Sequence, residues 1–584
     1  MPNGYTPSPE WADKVPLLST RDLVQGGETG DSNIPLKALA DRSEYLLENA
    51  EIKLPSYAAL RAYTDKSATV DITQKGIAGR FYCRGIVASP TDNGGTCIID
   101  ALGRLWEREF SGEVNAKWFG AVGDGVASDS SALNKAIDYV AKNGLTLHIP
   151  GGTYICTVTL TATEPSNGFH IKGDGKYLTK IKRNASYGSV ISFSGIDNFT
   201  ISDLFVDGNY RSFTSNANHG IVFANGSNVR ISRVAVYDWK NTAVIGHSSI
   251  GGDSSHKNNV VENVDAIGTG LQNNGILYAD QVNSGFVRCN VVNIGKVGSP
   301  CYGIQLKENC QDCYIEGGYV DNSRIGVACG NSKDFGDNNI NGRIHGVKVS
   351  NSQVGIALGS SRGYIVDSCI IDMNDSGNAA IDFNAGSTHN QFYNMSIRNV
   401  ELSKQSVLFR NGDSNNVVHL SSVFNSSGAL PRVVQFSSGS SVNSVSLELY
   451  MPPTDVTNTS RLVENLSNDN SNIFDYKYLN MAQFVTISSD SFMLEHGGIT
   501  QVQLDTEGSA ASDDLSTING GRSRQVITIN QYANARKVTV KHGTGNIRLN
   551  SGADFTFANV QQNLTLMFNT SVNAWVEVSR GVSL

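Results

Sequence analysis

Charge is scarce in this sequence. Asp, Glu, Lys and Arg make up 17% of its 584 residues, against the usual quarter. That works against long solvated helices, which draw on Glu and Lys as well as Ala and Leu. The net charge of -8 excludes general affinity for nucleic acid or anionic membranes and leaves a sugar ligand open. No apolar run approaches the roughly 20 residues of a membrane span, so no membrane insertion is expected. "MPNGYTPSPEWADK" lacks the basic-then-apolar layout of a signal peptide. Cysteine is thin and odd in number, at nine. The one close pair, Cys310 and Cys313 in "NCQDCYIE", has zinc-ligand spacing, but no second CxxC or HxxxH follows. Reduced thiols packed in or between strands are therefore expected, with no metal and no cofactor.

What is present in quantity is glycine, 59 residues, together with Ser, Asn and Thr. That mixture suits turn-rich all-β structure. The chain is too long for one compact core and implies several domains or an elongated repeat.

Residues 1–50 form a small separate unit. "NIPLKALADRSEYLLENA" reads as a helix with Leu36, Leu39, Ala40, Ser43, Leu46 and Leu47 along one side. Such a short helix cannot bury its stripe alone and should pack on copies of itself or on a partner. Residues 51–115 read as a small mostly-β domain whose short helix is capped by Ser56. Residues 116–167 hold "WFGAVGDGVASDSSALNKAI", which has the look of a phosphate or metal loop. It lacks the Lys-Ser/Thr of a P-loop and the spacing of a dinucleotide fingerprint. Asp124 suits a glycine turn, and Ser128 or Asp129 suits a helix N-cap. Ala132, Leu133, Ala136, Ile137 and Val140 form one apolar helical face, and Asn143-Gly144 is a stop signal. This helix is expected to plug the open end of whatever follows.

From 168 to 455 the chain repeats. "GIVFAN" from Gly220, "GILYAD" from Gly275, "GIQLKE" from Gly303, "GVACGN" from Gly326 and "GIALGS" from Gly355 share one pattern. "TAVIGH" from Thr242 and "AIDFNA" from Ala380 fit with the glycine replaced. First halves such as "VRISRVAV", "YIEGGYV", "RIHGVKV" and "YIVDSCII" match as well. Short strands at a period of roughly 22 to 33 residues, with no helices between, signify a β-solenoid. A propeller needs about 40 residues per blade. Residues 456–584 show plain alternation with frequent turns, a β-sandwich or barrel pattern.

"AKWFGAVGDGVASDSSALNKAIDYV…LHIPGGTYI" closely resembles the start of the pectate-lyase-like right-handed parallel β-helix of bacteriophage tailspike proteins. The lead-in "LPSYAALRAYT", "AGRFYC" and "DNGGTCIIDALGRLWERE" resembles the same family. So does the tail "VTVKHGTGNIRL…LMFNTSVNAWVEVSR". The resemblance implies a homotrimer attached to the virion tail or an adaptor through its N-terminus. It implies a polysaccharide-degrading solenoid acting on capsule, exopolysaccharide or O-antigen at the host surface. It also implies a C-terminal domain that trimerises or binds sugar. The family has no shared catalytic motif, so the site must come from these residues.

Residues at one place in successive coils stack about 4.8 Å apart. Counting five on from the repeat glycine gives a column of Asn225, His247, Asp280, Glu308, Asn331 and Ser360. Asp280 and Glu308 are expected as the catalytic carboxyl groups, with Asp312 as a third. Glycosidases need two, about 5 Å apart for retention and roughly 6.5 to 9.5 Å for inversion. Trp239, His247, Tyr278, Tyr302, Gln305, Lys307 and Arg324 are the expected substrate contacts. Other solenoid acids are Asp203, Asp207, Glu316, Asp321, Asp372 and Asp382. Hydrolysis is the preferred chemistry. A lyase acting on uronic acid, using a base and cation from Tyr278, His247, Lys307, Arg288 and Arg324, is the alternative. A non-catalytic receptor-binding spike is the second alternative.

Overall fold

Glycine opens the repeats because nothing larger fits there. In a computed structural model, a Cβ added at Gly303 would lie 2.4 Å from the Gly326 carbonyl oxygen and 2.4 Å from Val320 Cγ1. At Gly275 the same atom would meet Gly303 O and Val291 Cγ1, both at 2.3 Å. Each repeat thus lies hard against the next one and against a valine of a facing strand. The structure describes residues 34–48, 52–163, 168–213, 219–248, 256–295, 301–330, 339–374, 377–384, 386–400, 404–424, 432–449, 463–467, 471–478, 481–494, 499–521 and 524–582.

The fold is all-β, a parallel β-solenoid with few helices. The chain divides into two compact units, Met1–Tyr237 and Asp238–Leu584. In the first, helix Ile34–Glu48 precedes a five-stranded sheet over residues 52–108. That sheet packs around Tyr57, Leu60, Phe81, Ile98 and Trp106, and Ser56 caps its short helix by accepting from the Ala59 N–H. Helix Ser130–Asn143 buries Leu133, Ala136, Ile137, Val140 and Ala141 and ends at left-handed Gly144. It packs on strands of the first coil, the position of a plug.

Asp129 occupies the expected N-cap position, and the correction concerns its side chain, which caps nothing. Its fully buried carboxylate accepts from the Val122 N–H at 2.6 Å, Gly123 at 3.3 Å and Ile155 at 3.1 Å. It ties the glycine loop to the neighbouring strand. Asp124 accepts from the Val126 and Ala127 N–H groups in its own turn.

From His170 to Asn384 the coils carry three short strands in the two long sheets, paired in parallel with their counterparts in the next coil, and from Gln391–Arg398 on one longer strand takes the place of two. In the second unit one ladder runs Val260–Glu262, Gly285–Val287, Tyr314–Glu316, Arg343–His345, Ile365–Asp367. Another runs Asn274–Tyr278, Tyr302–Leu306, Ile325–Cys329, Val354–Gly359, Ala379–Asn384. Ladder pairing continues beyond 455, through Val463–Asn465 and Ile473–Tyr478. Inside, like stacks on like. Phe383, Phe409 and Phe436 lie 4.7 and 5.2 Å apart in parallel. Asn390, Asn416 and Asn443 form a buried ladder in which each amide donates to the next side chain and to a backbone carbonyl. Cys310 and Cys313 are free thiols buried in the same interior, which agrees with their reading as packed thiols.

The C-terminal strands from Met481 on form a six-stranded sheet with two smaller sheets. They enclose one core that includes Leu504, Ile527, Leu564, Leu566 and Trp575. Parallel pairs such as Met481–Thr486 with Ile499–Asp505 give way to antiparallel pairs over Gln562–Asn569 and Ala574–Val582.

Candidate functional site

Strand register decides which expected residues can meet. Asn274 pairs with Tyr302 and Tyr278 with Leu306, which makes Asp280 level with Glu308. The Asp280 N–H donates to the Glu308 carbonyl at 2.7 Å. His247 does not join that column. Gly246 pairs with Tyr278, so Ser248 stands level with Asp280 and His247 is one place short. The glycine replacement in "TAVIGH" hid the slip. Asn331 lies outside the described residues.

Several expected contacts are buried, and the structure corrects them. Tyr278 is fully buried and stacks on Phe286 at 4.1 Å, so it lines the core. Trp239 is fully buried, its indole N–H donating to the Asn274 carbonyl at 2.6 Å. Gln305 is buried at 2% exposure. Asp280 is a buried turn residue with φ 54°, and its carboxylate accepts from the Asn309 amide at 2.9 Å. Such a carboxylate is not presented to a sugar.

Asp312 is exposed at a coil corner, with φ 53° where neighbouring coils place Asn283 and Asn341 at 49° and 56°. Asn and Asp hold that left-handed position because they tolerate it best after glycine. Glu308 is half-buried and forms an ion pair with Lys307. Tyr302 and Arg324 belong to the opposite end of the strand from this pair. The alternative base-and-cation set also disperses, since Arg288 is a corner residue donating to Asn263 at 3.1 Å.

Most other acids have structural partners. Asp203 is held by Arg233 at 2.6 Å, Asp207 by Lys180 at 2.9 Å and Asp382 by Arg410 at 2.8 Å. Asp321 accepts from Asn351 and Asp372 from Asn399.

A different column collects chemistry. In the ladder of Tyr314–Glu316 the middle residue of each strand is interior and the third faces out. Register makes Glu316 level with His345, His345 with Asp367, and Asp367 with Tyr393. His345 Nδ1 lies 2.9 Å from Asp367 Oδ1, and Arg343 Nη2 lies 3.6 Å from Asp367 Oδ2. Hydrogen bonding from Ser368, then His345 and the Arg343 charge, holds the Asp367 carboxyl below its usual range against partial burial. Tyr393 donates its hydroxyl to Gln391 at 2.8 Å and stacks on His419 at 5.2 Å. His419 in turn bonds the Ser446 hydroxyl.

Two inter-strand steps separate Glu316 from Asp367, about 10 Å between backbone positions. Inverting glycosidases hold their two carboxyl groups roughly 6.5 to 9.5 Å apart, close to this backbone spacing. His345 and Arg343 hold the Asp367 carboxylate in place. Counting along the second halves of the repeats missed this set. The signal was in the first halves, where "YIE", "RIH" and the aspartate of "YIVD" place an acid, a histidine and an acid on three successive coils.

Comparison with known proteins follows the same segment. Residues 113–382 match the family model described as rhamnogalacturonase A/epimerase, pectate lyase-like. The fold is a β-solenoid, and it is within this solenoid region that the match lies. Among curated proteins, mannuronan C5-epimerase AlgE1 of Azotobacter vinelandii is 38% identical over 112 residues, 17% of this chain and 8% of the epimerase. AlgE4 of the same organism is 34% identical over 117 residues, 17% of this chain and 20% of the epimerase. The chain therefore spans a small part of the curated relatives it matches.

Similar solved structures include the A-module of Azotobacter vinelandii epimerase AlgE6. It has a TM-score of 0.48 and 17% identity, covering 63% of this chain and 99% of that one. Tailspike protein 2 of bacteriophage CBA120 has a TM-score of 0.46 and 15% identity, covering 73% and 62%. The gp42 tailspike of an Acinetobacter phage has a TM-score of 0.48 and 10% identity, covering 91% and 92%.

Proposed function

We propose that this chain is a tailspike depolymerase that hydrolyses glycosidic bonds in a bacterial capsular polysaccharide, exopolysaccharide or O-antigen. In this reading it works as a homotrimer on the phage tail, joined to the virion or an adaptor through its N-terminal segment. The observation that carries the reading is the outward column Glu316, His345, Asp367 on three successive coils. Glu316 protonates the departing glycosidic oxygen. Asp367, already ionised, takes a proton from the water that attacks the anomeric carbon from the other side. His345 and Arg343 fix the Asp367 carboxylate. Inversion at the anomeric carbon follows from the two-coil separation.

A second reading, β-elimination on a uronic-acid polymer, is favoured by one specific observation. Arg343 supplies a cation for a sugar carboxylate within a column that also holds the Tyr393 hydroxyl. The pectate-lyase-like family match and the epimerase relatives point the same way.

The test is digestion of a panel of purified capsular and exopolysaccharides by the full chain, with mass spectrometry of the products. Saturated non-reducing ends mean hydrolysis, and products lighter by one water per cut, with an unsaturated non-reducing end, mean elimination. Tight binding with no cleavage of any member would leave only the receptor-binding spike. Glu308→Gln with Lys307→Met, run in parallel, tests the corner pair as the reacting site instead.

A further inference from the structure

In the first unit, three aromatic rings follow one another on successive coils of a single outward face. Tyr177, Phe205 and Tyr237 have ring centroids 5.9 and 6.1 Å apart along the series. Cations lie against them. Lys180 Nζ is 5.1 Å from the Phe205 ring, and the Arg211 guanidinium is 5.5 Å from the Tyr237 ring and bonds its hydroxyl at 2.5 Å. Register makes Lys182 level with Asp207, and Asp207 with Tyr237. Among the described residues of the first unit, this face carries three cations, Lys180, Lys182 and Arg211, and one carboxylate, Asp207, in a chain of net charge -8. Asp207 is nearly covered and paired to Lys180 at 2.9 Å. Tyr177 and Leu178 are 62% and 65% exposed.

From this we infer that the strip Tyr177–Phe205–Tyr237 with Lys180, Lys182 and Arg211 is a second, non-catalytic binding surface for an acidic polysaccharide. The inference rests on the polysaccharide reading above and adds to it the ligand's charge and a tethering role. Coils repeat about every 4.8 Å, and a pyranose chain advances by a similar distance per sugar. The rings, 5.9 and 6.1 Å apart, advance at a comparable pace and can contact consecutive sugar faces. Lysine and arginine beside the rings bond carboxylates that a neutral polymer lacks. A subunit interface is the competing use of such a face. It would need about 800 Å² per partner with an apolar centre, whereas this strip is one ring wide and flanked by charge. Glu316, His345 and Asp367 belong to the other unit, so strip and reacting column are separate in the chain.

The experiment uses the full chain in affinity electrophoresis through gels containing alginate, polygalacturonate or neutral dextran. Wild type should be retarded by the two polyuronates and not by dextran. Tyr177→Ala with Lys182→Glu should lose about tenfold in that affinity, with circular dichroism unchanged. On a polymer the enzyme cleaves, the same variant should raise KM for long chains and leave turnover of short oligosaccharides as it was. Phe205→Leu, which keeps the half-buried bulk, should give a smaller loss of the same kind. Equal retardation of wild type and double variant overturns the strip while leaving the depolymerase reading intact. Absence of retardation by both polyuronates overturns it as well. A changed sedimentation coefficient with unchanged polyuronate affinity would assign the face to subunit contact instead. Cleavage of no polysaccharide together with specific polyuronate retention would overturn the depolymerase reading and leave the strip standing.

Discussion

Asp367 illustrates how far a single side chain depends on its neighbours in other coils. Nothing within four residues of it supplies a histidine or an arginine, yet both bond it. Asp367→Asn should lower turnover by about three orders of magnitude, and Glu316→Gln by a similar factor, because in the proposed hydrolysis each removes one half of a paired acid–base reaction. His345→Ala should cost less, about a hundredfold, and should shift the acid limb of the pH–rate profile upward as Asp367 loses a partner that favours its ionised form. Initial rates on a cleaved polymer across pH check all three. Full activity in Asp367→Asn would remove this column from consideration. Asp413 behaves differently. Burial pushes its carboxyl up to about 7, despite backbone N–H groups donated by Arg410 and Ser387. The folded chain then holds a proton that the unfolded chain releases near pH 4. Stability from this group is full below about pH 4 and is lost as pH rises to about 7. The thermal midpoint should fall across that window, and Asp413→Asn should flatten the slope.

At the scale of the coil, small residues and amides carry the load. Gly303→Ala forces a methyl against the Gly326 carbonyl and Val320, and overpacking of this kind costs about 1–3 kcal/mol. Asn416→Ala breaks the interior amide ladder. It leaves the Ser387 carbonyl, now bonded at 2.8 Å, without that donor, again a loss of about 1–3 kcal/mol. Both should appear as lowered midpoints in thermal unfolding followed by β-structure circular dichroism. The repeat itself was legible because glycine, interior aliphatic and corner Asn or Asp recur with the coil. Its register was legible only where the glycine survived. From Gly275 to Gly355 the repeat glycines are in register, and at Thr242 the count slips by one. A β-strand alternates with period two, so one residue of error moves a side chain to the other face. The same alternation put Tyr278 inside the core.

For the whole molecule, the helix Ile34–Glu48 leaves Leu36, Leu39 and Leu46 at 63, 49 and 58% exposure. Residues so exposed on one chain suit contact with other copies. Leu39→Glu with Leu46→Glu should reduce self-association, measured by sedimentation velocity, while polysaccharide cleavage by the remaining oligomer tests how far activity depends on assembly. The opening glycine loop belongs to this scale too. It resembled a ligand site, but its aspartates bond backbone N–H groups and its helix covers the first coil. A solenoid end needs such a cover because its strands would otherwise pair with other chains.

Composition and periodicity alone determined that this protein is an all-β solenoid with few helices, because coil repeats are local and each one carries its own turn and core residues. Only the tertiary structure decided which polar side chains share a face. Glu316, His345 and Asp367 are more than twenty residues apart from one another in sequence and adjacent only through inter-strand register. Variable corner lengths between coils set that register, and no count along the chain fixes it without knowing where each corner ends.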